Sequence, residues 1–550
     1  MRAFRLLFPL LCAALCIFAS CAKIVTPTGG ERDSEPPKIL AVAPSQNSVR
    51  FSGNQIRITF DEYFTLNNPT ENILVSPPLS KSPEYTVNGK TLVIKLKDTL
   101  QPATTYNFLF SNAIKDYHEG NAIGMFHYSF TTGDSIDEFT IRGSIADART
   151  LEPVKDMFVM LYKDLADSLP LTTLPNYITK TNDRGLFAFN NVSSGQFRIF
   201  ALKDGNSNLK HDLISEEIAF LDAPVESYRV SPDSVPDSLK KDIPETVLRS
   251  FVAADTSLKL FRHENPAAGV YRFPYNAPIT NFTAERLSQS PDYFEVINAS
   301  KDTVTWYFKD LVKDSLVFIL NADRRTDTVA LLPFKPKQQT GRNRSKVDNK
   351  LSVTALNKGE CNAPLTLQFP YPVRPIDSFD ILVCTKEKDR NDTVLKRFSI
   401  PDSLVMQIPM ELEYSEKKSY TVLIRDSVFW GYNNLTNDSL KIEFVAKSQK
   451  DYGSLTMHYK IPQDGKNYIA TLYKGGTELS RKTLKTSETV DYAYLAPDSY
   501  RIVVFCDENG NGRWDAGDYQ TKRQPEKTYI FPNQIAIRAY WESEETFDLR

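Results

Sequence analysis

Histidine is scarce in this 550-residue chain, with five copies at 118, 127, 211, 263 and 458. They are spaced too thinly to propose a metal-hydrolase cluster. The sequence holds no Gly-x-Ser-x-Gly elbow, no His-Glu-x-x-His, no phosphate-cradling Gly-rich loop and no Cys-x-x-Cys. Net charge is almost nil: Lys+Arg 66 against Asp+Glu 68 leaves −2, so no global field recruits nucleic acid or an anionic membrane. The adjacent carboxylates Asp61 and Glu62 follow a strand pattern. Neighbours on a strand point to opposite faces, which prevents them from acting as an acid–base pair. After residue 20 no apolar run approaches the roughly 20 residues of a membrane span. What is present is an ordinary globular balance, 41% hydrophobic and 24% charged, which excludes wholesale disorder, collagen and polytopic membrane proteins. At about 150 residues per domain the length fits three or four domains, and more if they are small sandwiches.

The first twenty residues read as a targeting segment. Arg2 and Arg5 make a basic start, Leu6 to Ser20 is an almost unbroken apolar run, and Phe18-Ala19-Ser20-Cys21 places small residues before a cysteine. This resembles a bacterial lipoprotein signal, in which Cys21 is acylated and becomes the first mature residue. A plain secretory signal cut near Ala19, with Cys21 a bystander, is the alternative. Residues 21–34 are rich in Pro, Gly, Thr and charge and read as a tether. Of the remaining cysteines, Cys361 and Cys384 are the only pair inside one proposed domain and form a candidate disulfide. Alternatively Cys384, within an apolar run from Phe379, is a small buried hydrophobe.

The mature chain alternates apolar and polar residues with period two. Gln55–Phe60, Thr91–Leu96, Tyr106–Phe110, Asp302–Phe308, Ser419–Ile424 and Leu440–Phe444 are β-branched, aromatic runs bounded by Asn, Asp, Gly and Pro. That is the pattern of antiparallel sheets buried on one face, and turn signals near every ten residues predict sandwiches.

Two internal matches organise the chain. Gln196–Asp212 aligns without gaps on Ser499–Asp515, at an offset of 507 − 204 = 303. Tyr106 and Phe130 align on Tyr420 and Phe444, where 420 − 106 and 444 − 130 both give 314. A two-domain pair used twice, with extra material between the copies, predicts five domains. They run 35–133, 138–223, 254–334, 350–447 and 452–550, with a Pro/Ser-rich linker over 224–253 and a basic linker over 335–349. The predicted fold class is all-β: tandem antiparallel β-sandwiches behind a lipoprotein signal peptide.

Residues 35–133 contain Ile56-Arg-Ile-Thr-Phe-Asp-Glu62, Leu100-Gln-Pro-Ala-Thr-Thr-Tyr106 and a closing Tyr128-Ser-Phe-Thr-Thr-Gly133. They resemble the bacterial Ig-like domain of surface-layer and Bacteroidota cell-surface proteins. Residues 138–223 and 452–550 resemble the prealbumin-like module of carboxypeptidase regulatory domains and Gram-positive adhesins. With Pro27-Thr-Gly-Gly30 after the lipid cysteine, the whole resembles a Bacteroidota Ig-like outer-membrane lipoprotein. The resemblance implies an architecture and a lipid-anchored outer-membrane location, on the surface or the periplasmic face, and no reaction. Asp followed by Ser or Thr and an aliphatic residue recurs, beginning at Asp98, Asp134, Asp167, Asp233, Asp237, Asp302, Asp314, Asp327, Asp392, Asp402, Asp426 and Asp438. It resembles an O-glycosylation acceptor motif of that source, and an Asp-Ser turn leading into a strand has the same sequence.

One constellation has metal-ligand spacing. Asp507, Asn509, Asn511, Asp515 and Asp518 occupy positions 1, 3, 5, 9 and 12 of an EF-hand-type loop, with Gly512 at 6 and the Arg513 carbonyl at 7. Ca²⁺ takes six to eight hard oxygens from such a curled backbone. An Asx-rich turn, with carboxylates capping backbone N–H groups, is the metal-free alternative. The earlier copy keeps Asp204, Asn206, Asn208 and Asp212 but has Leu209 where the Gly stands and Ser215 at position 12, so loop shape there outweighs an ion. The exposed-looking Trp430 and Tyr432 could stack on a sugar or partner, or pack inside a loop. The expected function is therefore non-catalytic: a structural or protein-interaction role beside an outer-membrane assembly or transport complex. The alternative is a glycan-binding or adhesive surface protein. The expected partners are a membrane through the lipid, an envelope protein and possible glycan, with no nucleic acid and no cofactor beyond structural Ca²⁺.

Overall fold

Alternating sequence becomes alternating burial: in Gln55–Phe60 the side chains of Ile56, Ile58 and Phe60 are fully buried while Arg57 faces solvent. A computed structural model describes residues 33–166, 168–229, 246–254, 257–335, 350–387, 390–400 and 403–550. The signal segment, Cys21, nearly all of the tether and nearly all of the basic linker lie outside these residues. The described chain is a series of sheets, antiparallel except for one strand pair, and its two α-helices, Pro69–Asn72 and Leu169–Thr172, are single turns. Among the described residues no helix is long and apolar enough to cross a membrane.

The chain divides into two compact units. The first runs to Ser250 apart from the turns Asp147–Glu152 and Leu213–Ser215, which group with the second. Its first module is a sandwich. One sheet has the order Ile39–Ala43, Gln55–Phe60, Thr91–Lys95, Glu84–Asn88, and the other has Ile73–Ser76, Thr105–Ser111, Met125–Thr131. Between them Ile58, Phe60, Phe108, Phe110 and Phe130 form a dry core, in which each such side chain contributes roughly 1.5–3 kcal/mol by leaving water. The second module continues the same unit. Ile178 N–H donates to the buried Ser76 Oγ at 3.0 Å, and the Lys180 ammonium donates to the Glu71 carbonyl at 3.2 Å. Its sheet corrects one boundary. Thr246–Val252, expected within a linker over 224–253, is a strand between Glu217–Phe220 and Phe139–Asp147. Leu248 is buried in the core of this module and Ser250 Oγ donates to Glu217 at 2.6 Å, so the segment has an apolar anchor and a polar partner. Val225–Glu226 and Tyr228–Arg229, also within that linker, pair with Gln196–Lys203 and Phe139–Asp147, and residues 230–245 lie outside the described chain.

In the second unit the core of residues 258–331 is built on Trp306. Its ring is fully buried against Phe273 and Phe318 and stacks on Tyr293 at 4.3 Å, and its Nε1 donates to Glu295 at 2.8 Å. The following sandwich has the sheets Thr354–Leu356, Leu365–Val373, Val405–Met410 and Arg390–Ile400, Ile376–Glu387, Ser419–Ile424, Leu440–Val445. The last module closes by a parallel pairing of Glu542–Asp548 with Gly453–Lys460.

Both sequence repeats correspond to repeated structure. Gln101 N–H donates to Tyr106 Oη at 2.8 Å and Ser415 N–H to Tyr420 Oη at 2.7 Å, the same tyrosine corner 314 residues apart. The strands Gln196–Lys203 and Asp498–Asp507 each leave directly into one of the two Asx-rich loops.

Candidate functional site: two matching Asx-rich loops

The strand Asp498–Asp507 delivers Asp507, which is buried at its end, to the mouth of its loop. Its Oδ1 accepts from Gly510 N (2.9 Å) and Asn511 N (3.0 Å), and its Oδ2 from Gly512 N (2.9 Å). Asn509 Oδ1 accepts from Asn511 N at 3.0 Å and Asn511 Oδ1 from Arg513 N at 2.7 Å. Both amide nitrogens, Asn509 Nδ2 and Asn511 Nδ2, donate to Asp515 Oδ2, the latter at 2.8 Å. Asp518 is not brought to this cluster. It serves its own turn, taking Gln520 N at 2.8 Å and Thr521 Oγ1 at 2.9 Å.

The carboxylate that does face the loop is Glu526, which the motif spacing misses. It is buried, its Oε1 accepts from Glu508 N at 2.8 Å and its Oε2 from Asp515 N at 2.9 Å. Burial pushes its carboxyl above the ordinary glutamate range, the two N–H donors oppose that, and the charges of Asp515 and Asp507 add to it.

The earlier loop has the same wiring. Asp204 Oδ2 accepts from Leu209 N at 2.7 Å, Asn206 Oδ1 from Asn208 N at 3.2 Å and Asn208 Oδ1 from Lys210 N at 2.7 Å. Asn206 Nδ2 and Asn208 Nδ2 donate to the two oxygens of Asp212 at 2.9 and 2.7 Å. A second buried glutamate, Glu216, accepts from Gly205 N at 3.0 Å and Asp212 N at 3.3 Å. Glu216 and Glu526 are thus equivalent, at an offset of 526 − 216 = 310. The later loop carries seven extra residues (310 − 303) before its glutamate, which hides the pair from a gapless alignment.

The backbones agree as well. Gly510 and Gly512 have φ of 76° and 72°, and their counterparts Ser207 and Leu209 have 61° and 57°. Leu209 holds a left-handed conformation that costs a non-glycine residue roughly 1–2 kcal/mol. In return its side chain lines an apolar cleft of the first unit with Leu74, Leu79, Tyr85 and Ile178. A Cβ at Gly512 would meet nothing within 4 Å. The later loop reaches a neighbouring module of its own unit through Arg513, whose guanidinium donates to the Ser300 carbonyl at 2.7 Å.

Fit to calcium is mixed. Two carboxylates, two amides and a nearby buried glutamate are hard donors of the right kind. Yet Asp507, Asp515 and Glu526 all accept N–H donors, and the Asn amides present nitrogen to Asp515. Among the described residues no three acidic, histidine or cysteine side chains converge closely enough to hold a metal ion.

The other candidates separate. Cys361 and Cys384 are both free thiols, which corrects the candidate disulfide. Cys384 is fixed in mid-strand opposite Thr393 and Thr421 and accepts from Thr393 Oγ1, whereas Cys361 lies in an exposed turn. Asp61 accepts Lys38 N–H at 2.7 Å, a strand-end role. Tyr432 packs 6.4 Å from Phe294, and Trp430 is 47% exposed. In the Asp-Ser/Thr motifs the hydroxyls of Thr99, Ser135, Ser315, Thr328, Thr393, Ser427 and Ser439 are exposed, Thr303 is half-buried, and Asp167, Asp233, Asp237 and Asp402 lie outside the described residues.

Residues 33–132 match the bacterial Ig-like domain family, so the chain carries an Ig-like domain at the head of a tandem all-β fold. A search of curated proteins gives no match. Solved structures similar to the chain include the surface layer protein SbsC, domains 1–6, at 12% identity over 76% of this chain and 67% of that one, TM-score 0.15. Another is BcpA, the major pilin subunit of Bacillus cereus, at 9% identity over 74% and 98%, TM-score 0.14. A third is native alpha-2-macroglobulin from Escherichia coli, domains MG0-NIE-MG1, at 10% identity over 50% and 97%, TM-score 0.17. At such TM-scores these likenesses carry no functional argument.

Proposed function

We propose that this is a non-catalytic envelope protein, held at the outer membrane by a lipid on Cys21, with a structural or protein-interaction role. In this reading it is an accessory subunit of an outer-membrane assembly or transport complex. The observation that carries it is the use of the two loops. Their polar groups are engaged by their own backbone, and the side chains they send out, Leu209 and Arg513, go to neighbouring modules within their units. Loops used this way stiffen a spacer. The test is a pull-down of the tagged protein from gently solubilised outer membranes, with stoichiometry read by mass spectrometry. A membrane protein recovered at near-equal amount is the expected result, and recovery of the chain alone overturns the subunit reading.

A second reading, glycan binding or adhesion, is favoured by one feature of the last module. Tyr540 and Trp541 are 73% and 58% exposed on a loop pinned by Tyr540 N–H to the Tyr452 carbonyl at 2.7 Å. The Lys450 ammonium and the Arg538 guanidinium stand over the two rings at 5.4 and 5.1 Å. Fixed aromatic faces with adjacent cations suit sugar rings, acidic ones especially. Glycan arrays probed with the native chain and with Trp541→Ala decide it: signal lost in the variant supports adhesion, and blank arrays remove it.

A further inference from the structure

Among the described residues the strand Arg390–Ile400 stands at the end of its sheet, paired on one side only, with Ile376–Glu387. The ladder runs from Ile376 opposite Ile400 to Glu387 opposite Arg390, whereas the next strand in, Ser419–Ile424, covers only Leu382 to Lys386. The result is a long ribbon whose outer edge offers a row of backbone donors and acceptors. Val394 and Leu395, at its middle, are 51% and 57% exposed. Consecutive strand residues face opposite ways, so the edge strand shows one exposed apolar side chain on each face at that point. On one face Leu395 sits opposite Leu382 and Leu382 opposite Leu423, an apolar row that ends at the free edge. Such an edge is a template for another strand.

The charges on the edge select the strand. Its centre reads Asp392-Thr-Val-Leu-Lys396-Arg397, acid at one end and base at the other. Laid parallel on itself, like charges meet, which is destabilising. Laid antiparallel about Val394, Asp392 of each copy stands opposite Lys396 of the other, which is stabilising. That alignment places Val394 opposite its own counterpart and brings Leu395 into diagonal reach of its counterpart on the other face.

We propose that two copies of this chain pair antiparallel through the strand Arg390–Ile400, across a two-fold axis at Val394, joining their four-stranded sheets into one of eight. A single strand-to-strand seam lies below the roughly 1,000 Å² of a stable interface, so the pairing is weak in dilute solution. It strengthens where the chains are confined to a surface. The inference rests on this module alone and does not depend on the function proposed above.

The test uses the full chain with Cys21→Ser and Cys361→Ser, which remove the lipid site and the exposed native thiol. Adding Val394→Cys is expected to give a disulfide-linked dimer under mild oxidation. Thr483→Cys, on the edge strand Thr477–Leu484 of the last module, is expected to give only background. Sedimentation of the chain without added cysteines is expected to show mass rising toward twice the monomer with concentration. Val394→Lys is expected to lower the dimer fraction about tenfold, because two like charges then face each other. Circular dichroism confirms that this exposed substitution leaves the fold intact. A chain that stays monomeric at all concentrations with no excess cross-linking at 394 overturns the proposal. So does a dimer indifferent to Val394→Lys.

Discussion

The loop leaving Lys203 and the loop leaving Cys506 share a hydrogen-bond scheme down to individual amide groups, yet one is built with glycine at its left-handed positions and the other with Ser207 and Leu209. Where no atom stands within reach of a Cβ, at Gly512, glycine is the low-strain solution. Where an apolar cleft lies beside it, a leucine tolerates the strain because its half-buried side chain lines that cleft. The difference teaches that the loop's shape is held by the carboxylate network, and that the residue at the left-handed position follows from what the loop touches.

Breaking the network should have the largest effect. Glu526→Ala and Glu216→Ala each leave two inward-facing N–H groups without an acceptor, at about 1–3 kcal/mol per group. Each should destabilise its module by about 3 kcal/mol in urea denaturation. A loss below about 1 kcal/mol in either would show that the glutamates are bystanders. Exchanging the left-handed residues comes next. Gly512→Leu should cost about 1 kcal/mol, because it adds strain and no contact. Leu209→Gly relieves strain but loses packing and adds unfolded-state entropy, a net cost of about 1 kcal/mol. Only Leu209→Gly should raise hydrogen exchange at residues 73–79. Equal exchange in both variants would remove the packing argument.

A smaller effect is pH-dependent. Because the folded-state pKa of Glu526 is raised, the folded chain holds that proton more tightly than the unfolded one. Its contribution is full below the unfolded pKa and is lost as pH rises through the folded pKa. Between pH 7.5 and 4.5 the wild type should therefore gain stability relative to Glu526→Gln, a gap read by paired denaturation curves. A gap that narrows on acidification would contradict the burial argument. The smallest effect belongs to calcium. With the loops closed by their own donors, Ca²⁺ or chelator should move the melting temperature by no more than about 1 °C, roughly 0.2 kcal/mol for a module of this size. A rise of several degrees, absent in Asp515→Ala, would instead assign a structural ion to the later loop.

Strands were legible in the sequence wherever one face is buried, because period-two patterning reports exposure directly. Gln55–Phe60 and Ser419–Ile424 appear as written. The Asp-Ser/Thr-aliphatic motifs also became readable as strand entries. Leu316 and Leu440 each begin a strand two residues after the aspartate. Thr246–Val252 pairs its apolar residues, Val247 with Leu248 and Phe251 with Val252, instead of alternating them; it also follows a Pro/Ser-rich stretch and joins a sheet whose other strands lie upstream. Its destination is a tertiary fact. The loop motifs placed Asp507, Asn509, Asn511 and Asp515 together and misplaced Asp518. A spacing rule borrowed from helix-flanked loops assumes that the chain returns after twelve residues, whereas here it returns at Glu526, just ahead of the strand Thr528–Ile530.

Val270 and Tyr307 belong to the same buried cluster as Leu365, Tyr371 and Val422, and Tyr371 Oη donates to the Ala268 carbonyl. Residues from either side of the basic stretch 335–349 thus share one interior. A protease that cuts within that stretch would sever the chain without separating its halves, and the fragments would copurify until denatured. Counting the pieces that proteolysis releases would therefore undercount the sandwiches.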